Sequence, residues 1–569
     1  LALLAHPVQA ADRIYVSYNL LERSIPVSSL ETYARDGTID ADLAVYAQFA
    51  GAEALQQLRR GLTARVELDV VAISQFLYSP QGESLLERVG QVIQPESREP
   101  GQKAIRAALI LAAADPEGLT PLNVLRKFPT RGIRIDVRRS LEIAEALQTA
   151  VSLTNQATQL IVQAAASEVA TEPTIAFEQL PDLRRQGGFN WQTRTFENVI
   201  DLDRPAFRVR DRGLITSRFG VLPGRQFPVD LYLPDRRSAN SPSAPVIVIS
   251  HGLGSDRKTF AYLARHLASH GFAVLVPEHP GSNSKQLEAL IAGTASEIAE
   301  PEEFVDRPLD ITYLLDYMEQ RVKVDSSLRG RLNLTQVGVI GQSFGGYTAL
   351  ALAGAAINPL QLRSGCLNLA NQLNISLVLQ CRALQLTSPT LNLTDRRVKA
   401  VMALNPFGSA VFGQDSIGQI QIPLMLLSSS ADTISPALPE QIQPFTWAAT
   451  ANKHLALVDG GTHFSVIAGS DGGGVTLPAG VIGPNPAIAR RYVNALSVAF
   501  FQTHLANQPF YRQYLSASYA QAISETSLKL SLVRSLTSEQ VTQALKQDFP
   551  VLPTVPPPGS TAPAPATQP

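Results

Sequence analysis

The chain has 569 residues, 45% hydrophobic and 17% charged, with a formal net charge of −1. That length excludes a single ordinary domain, and the apolar content is enough for a sizeable core. The near-neutral balance leaves no footprint for nucleic acid or for electrostatic attachment to anionic lipid.

Residues 1–10, LALLAHPVQA, read as the remnant of a signal peptide: an apolar run followed by the small-x-small site Val8-Gln9-Ala10. Export is therefore expected. No other stretch approaches the ~18 consecutive apolar residues of a membrane span, so lipid contact, if any, is expected to be peripheral. Residues 11–150 read as a helical N-terminal domain. Phrases such as DADLAVYAQFAGAEALQQLRRG (40–61) and RRSLEIAEALQTAVSLT (138–154) repeat apolar residues every three or four positions. Residues 151–204 read as a linker.

From residue 205 the pattern changes. Short apolar runs at 229–233, 246–250, 272–276, 337–340, 398–404, 423–428 and 455–458 predict strands. Helical phrases at 257–269, 303–321, 345–355, 436–446 and 485–506 fall between or after them. This alternation predicts an α/β fold with a mostly parallel, doubly wound sheet covered on both faces. Residues 507–547 read as a helical C-terminal extension, and 548–569 as a disordered Pro-rich tail. The only two cysteines, Cys366 and Cys381, lie close together. In an exported chain they are expected to form a disulfide, worth about 3 kcal/mol for a loop of about 15 residues.

The chemistry centres on Gly341-Gln342-Ser343-Phe344-Gly345, which follows a predicted strand and opens a predicted helix. Chance alone supplies G-x-S-x-G in roughly one in five chains of this length, so the flanking strand and helix carry the weight. A sharp strand-to-helix turn lifts the serine hydroxyl above the sheet, and the glycines prevent clashes. A serine nucleophile needs an imidazole base and an orienting carboxylate, in the chain order Ser, acid, His. His463, in Gly460-Gly461-Thr462-His463-Phe464 after the strand 455–458, is the expected base. His454 leads into that strand at the wrong end, and His504 lies in the last amphipathic helix. Asp432, after the strand 423–428, is the expected acid, with Asp459 as the runner-up. The expected oxyanion donors are the backbone N–H groups of Phe344 and Leu253, the latter in the glycine-rich turn His251-Gly252-Leu253-Gly254-Ser255. His251 reads as a structural turn residue. No cofactor and no metal is required.

These motifs, with Glu278-His279-Pro280-Gly281-Ser282 and Gly461-Thr462-His463-Phe464, resemble the platelet-activating-factor acetylhydrolase and dienelactone-hydrolase-like branch of the α/β-hydrolases over roughly residues 205–506. The N-terminal module joined to them resembles the cyanobacterial α/β-hydrolases that carry an uncharacterised N-terminal domain. The resemblance implies the α/β-hydrolase fold, a Ser343-Asp432-His463 triad, and carboxylic-ester substrates, including phospholipid sn-2 esters in some members. Two departures stand out: Gln342 occupies the place of the usual acetylhydrolase histidine, and residues 356–397 look like an insertion. That insertion is expected to be either a lid or a stapled surface excursion. The sequence therefore points to a secreted carboxylesterase or lipase-like enzyme acting on a small-molecule or lipid ester. Thioesterase or peptidase action on the same triad is the near alternative, and a non-catalytic binding protein on a hydrolase fold the distant one.

Overall fold

A computed structural model describes residues 11–545 apart from 19–20, 67–68, 206–223, 236–240, 368, 370–371, 388–390 and 469–478. The expected signal-peptide remnant and the Pro-rich tail lie outside the described residues. The chain forms two compact units. The first comprises Leu1–Val151 with Lys285–Ile298 and Asn368–Leu373. The second comprises Ser152–Ser284, Ala299–Leu367 and Asn374–Pro569.

The first unit is mostly helical, as its periodicity predicts. Four of its helices start at side-chain caps: Asp40 accepts from Leu43 N–H, Asp69 from Val71, Ser79 from Gly82 and Thr120 from Asn123. It also holds a four-stranded sheet that the periodicity does not predict. The strands are β1 (Arg13–Tyr18), β2 (Leu21–Pro26), β3 (Ile93–Pro95) and β4 (Gly132–Asp136), in the order β2-β1-β4-β3. Each has three to six residues, too few alternations to register against the longer helical phrases. Ile14, Leu30, Tyr33, Ile105, Phe128 and Ile133 lie in its core.

The second unit carries a nine-stranded sheet. Its strands are β5 (Trp191–Pro205), β6 (Gly224–Pro234), β7 (Ala244–Ser250), β8 (Ala273–Pro277), β9 (Leu332–Gln342), β10 (Val398–Leu404), β11 (Leu424–Ser429), β12 (Lys453–Asp459) and β13 (Lys529–Val533). They are ordered β13-β12-β11-β10-β9-β7-β8-β6-β5. The six strands from β8 to β12 are parallel, and β6, β5 and β13 join antiparallel at the two ends. All seven predicted strands are present. Successive residues of β7 explain their apolar runs: Val246 and Val248 enter one core, Ile247 and Ile249 the other, and all four are fully buried. Burying each such side chain is worth about 1.5–3 kcal/mol. Helices Glu303–Val324 and Phe344–Leu352 cover the first face, and Ala261–Ser269 with Pro486–His504 the second.

Two boundary readings differ from the structure. The stretch 151–204, read as a linker, contains the second half of the helix Val137–Thr171 and almost all of β5. The stretch 507–547, read as helical, contains β13. Both are edge strands in which exposed or half-buried polar residues interrupt the buried ones, so no continuous apolar run marks them.

Candidate active site

The parallel strands end on one edge of the second unit's sheet. Between β7 and β9 the winding reverses, because β8 lies on one side of β7 and β9 on the other. Loops diverge at such a switch point and leave a crevice at the carboxyl ends of the strands. The expected residues all leave from this edge: Leu253 after β7, Ser343 after β9, Asp432 after β11 and His463 after β12.

Ser343 precedes the helix Phe344–Leu352 with φ 55° and ψ −116°. This left-handed conformation costs a residue with a side chain on the order of 1–3 kcal/mol. The surrounding turn holds it there. A Cβ on Gly341 would lie 1.8 Å from the Gly345 carbonyl oxygen, and one on Gly345 would lie 2.0 Å from that of Ser250. The Ser343 N–H donates to the Leu404 carbonyl (2.9 Å), extending the β9–β10 ladder by one step.

The His463 ring meets Asp432, with Nδ1 2.7 Å from Oδ2, and both residues are buried. A carboxylate only accepts, so Nδ1 holds a proton and donates it to Oδ2. Oδ1 of Asp432 accepts from the Ile434 (2.9 Å) and Ser435 (2.7 Å) N–H groups, and Oδ2 also accepts from Asn405 Nδ2 (2.8 Å). Among the described residues no hydrogen bond joins Ser343 Oγ to His463. Their loops are linked instead by Gln342, whose Nε2 donates to the His463 carbonyl (3.2 Å). Its Oε1 occupies the space where a Gly252 Cβ would stand, 2.3 Å away. Asp459 is exposed and accepts from Ser430 Oγ (2.9 Å). His454 sits at the opposite end of β12, its ring 6.1 Å from that of His504.

Phe344 is the first residue of its helix, so its N–H has no intrahelical partner. Among the described residues neither this N–H nor that of Leu253 donates to a protein acceptor. The Leu253 turn is set by His251. His251 Nε2 accepts the His279 N–H (3.0 Å), so its proton resides on Nδ1, which donates to the Gly252 carbonyl (2.8 Å). That carbonyl and the Leu253 N–H belong to one planar peptide and point in opposite directions. Burial, with Arg307 adding to it, holds the His251 pKa well below the ordinary value, so the ring stays neutral.

Residues 245–372 match the family profile "alpha/beta hydrolase fold", and residues 10–136 match "Alpha/beta hydrolase of unknown function (DUF1400)". The chain has the α/β-hydrolase fold. Cutinase 2 of Thermobifida cellulosilytica is 22% identical over 277 residues, 47% of this chain and 71% of that protein. Cutinase cut1 of Thermobifida fusca is 22% identical over 277 residues, which span 59% of its own length.

Next to the His251 turn, through the His279 N–H bond to His251, lies a second array with the order Ser, His, Asp. Ser250 Oγ is 3.0 Å from His279 Nε2, and His279 Nδ1 is 2.9 Å from Asp310 Oδ2. All three residues are fully buried, so none can meet a substrate. Burial, reinforced by Arg307, brings the His279 pKa down to about 4. The ring is therefore neutral at pH 7, and its contact with Asp310 is a hydrogen bond rather than an ion pair. Burial alone would raise Asp310, but the Arg225 fork (2.7 and 2.9 Å) and the His279 bond outweigh it. Arg307 ties the array to the site. Its guanidinium donates to the His251 carbonyl and to Ser282 Oγ (2.7 Å), and lies 4.7 Å from the Phe344 ring centroid.

Cys366 and Cys381 form a disulfide in the insertion 356–397. Glu440 fastens that insertion to the exit of β10. Its buried carboxylate accepts from Asn374 Nδ2, Ser376 Oγ (3.0 Å) and Gln380 Nε2 (2.8 Å) on one side. On the other side it accepts from the N–H groups of Gly408 (2.9 Å) and Ser409 (3.0 Å) and from Ser409 Oγ (2.8 Å). Sequence reasoning missed Asn405, Arg307 and Glu440. Only Asn405 carried a local signal, as an αL-tolerant residue directly after a strand.

Proposed function

We propose that this chain is an exported serine hydrolase that cleaves carboxylic esters, lipid esters among them, through an acyl-Ser343 intermediate. The observation that carries the reading is the buried Asp432–His463 hydrogen bond, set at the same sheet edge as the strained Ser343 turn. Ser343 Oγ attacks the acyl carbonyl as His463 Nε2 takes its proton. Asp432 holds the imidazole in the Nδ1–H tautomer and stabilises the imidazolium. The Leu253 and Phe344 N–H groups receive the oxyanion. The C–O bond then breaks, and His463 returns the proton to the departing alcohol. Water, deprotonated by His463, releases the acid and frees Ser343. The separation of Ser343 Oγ from His463 is compatible with this, because catalytic hydrogen bonds often tighten only when substrate binds.

The distant likeness to cutinases supports ester hydrolysis, and the Cys366–Cys381 disulfide supports an oxidising compartment outside the cytosol. The His251-to-Gly254 and Gly461-to-Phe464 motifs favour the acetylhydrolase and dienelactone-hydrolase-like branch. The test is labelling with a fluorophosphonate probe beside turnover of a p-nitrophenyl ester. Wild type is expected to be labelled and active, with Ser343→Ala losing both. Undiminished turnover by Ser343→Ala removes the assignment.

A further inference from the structure

The β10 exit supplies a residue that neither the expected triad nor the oxyanion turn includes. Asn405 stands directly after β10, fully buried, in the left-handed region at φ 45°. Its own N–H donates to the Leu427 carbonyl (2.8 Å), which locks it to β11, the strand that leads to Asp432. The orientation of its amide is settled by its partners. Oδ1 accepts from Ser429 Oγ (3.3 Å), so Nδ2 faces Asp432 Oδ2 at 2.8 Å.

We propose that Asn405 is a positioning residue for the Asp432–His463 pair. This rests on the reading of Asp432 as the acid and His463 as the base. The carboxylate has two oxygens with distinct neighbours. Backbone N–H groups of its own turn hold Oδ1, which fixes the position of the carboxyl group but leaves Oδ2 free to rock. Oδ2 is the oxygen that receives the imidazole. Asn405 brings it a second, neutral donor from a different strand. The donor is uncharged, so it fixes the direction of Oδ2 without cancelling the negative charge that the imidazolium requires. An arginine in its place would neutralise Asp432, and an apolar residue would leave an acceptor site empty in a buried pocket.

Two other carboxylates lie close in the fold, and neither serves this role. Asp459 is exposed and turned to Ser430, and Glu440 is engaged by Gly408 and Ser409. The left-handed backbone accounts for the residue type. Asn tolerates this conformation better than other residues with a side chain, and its amide spans the gap.

The experiment compares wild type, Asn405→Ala and Asn405→Asp for p-nitrophenyl ester turnover across pH, with active sites counted by fluorophosphonate titration. Asn405→Ala is expected to lower kcat per labelled site by about 10- to 100-fold, as small losses of alignment do, with KM nearly unchanged. Asn405→Asp is nearly isosteric. While protonated, the new carboxyl donates to Oδ2 much as the amide does, and it retains turnover. Once ionised, it adds a negative charge beside His463 and moves the acid limb of kcat/KM upward by about one unit. A purely structural role would lower the count of labelled sites and leave the kcat per site of Asn405→Ala in place. That outcome overturns the proposal. If Asn405→Ala does not fold, kcat per labelled site of Asn405→Asp decides: it is expected to hold while the new carboxyl is protonated and to fall once that donor is ionised, and a value unchanged across pH overturns the proposal. Failure of wild type itself to label would remove the catalytic reading, which is a different result.

Discussion

Replacing His454 by Leu should make the second unit more resistant to acid while sparing the proposed catalytic centre. His454 lies near the start of β12, almost completely buried, and its Nδ1 has no hydrogen-bond partner. Burial first, then the nearby His504 and Arg534, lowers its pKa to about 3. In the unfolded chain a histidine titrates near 6.5. The folded value is the lower one, so on acidification the unfolded state takes the proton first. The neutral ring's contribution is intact above about pH 6.5 and drains away as pH falls toward 3. At pH 5 the unfolded state has gained RT ln(1 + 10^1.5), about 2 kcal/mol, and the folded state almost nothing. Leu removes that penalty and also the orphaned nitrogen, whose burial costs about 1–3 kcal/mol. Urea unfolding followed by tryptophan fluorescence reads the relevant unit, because both tryptophans, Trp191 and Trp447, lie in it. Relative to wild type, His454→Leu should gain about 2 kcal/mol between pH 7 and pH 5. Its labelling by fluorophosphonate at pH 7 should be retained. Parallel shifts of the two proteins between those pH values, within about 0.5 kcal/mol, would refute the reasoning.

Further outcomes follow from buried charge and from the disulfide. Arg307→Met removes the cation that faces Ser282, His251 and the Phe344 ring, and leaves Glu303 and Asp310 with one fewer counter-charge. Breaking such a buried cluster costs about 3–5 kcal/mol, which the same urea titration will register. Cys366→Ser combined with Cys381→Ser releases a cross-link across 15 positions and should cost about 3 kcal/mol. Because Glu440 still grips Ser376 and Gln380, ester turnover at 25 °C should survive that double change; loss of turnover in protein that remains folded would show that the bridge itself shapes the site.

By itself the sequence determined whatever depends on neighbours along the chain. The Ser343 turn was legible because its geometry is local: a strand, two glycines spaced around the serine, then a helix. Asp432 and His463 were legible because parallel strands deliver their following loops to one edge, so chain order and strand ends suffice to shortlist them. The seven apolar strand runs were legible because burial on both faces removes polar alternation. Edge strands β5 and β13 and the short strands of the first unit lack that signature, since polar residues interrupt the buried ones at the sheet's edges and three to six residues give too few repeats. The tertiary structure alone decided the partners. The side-chain hydrogen bonds of Asn405, Arg307 and Glu440 span 24 to 66 positions of chain, and long-range hydrogen bonds leave no periodic trace in a sequence. It also separates two Ser-His-Asp sets of the same residue types by burial. Ser250, His279 and Asp310 are fully buried, whereas Ser343 is 7% exposed and follows β9 at the carboxyl edge of the parallel strands.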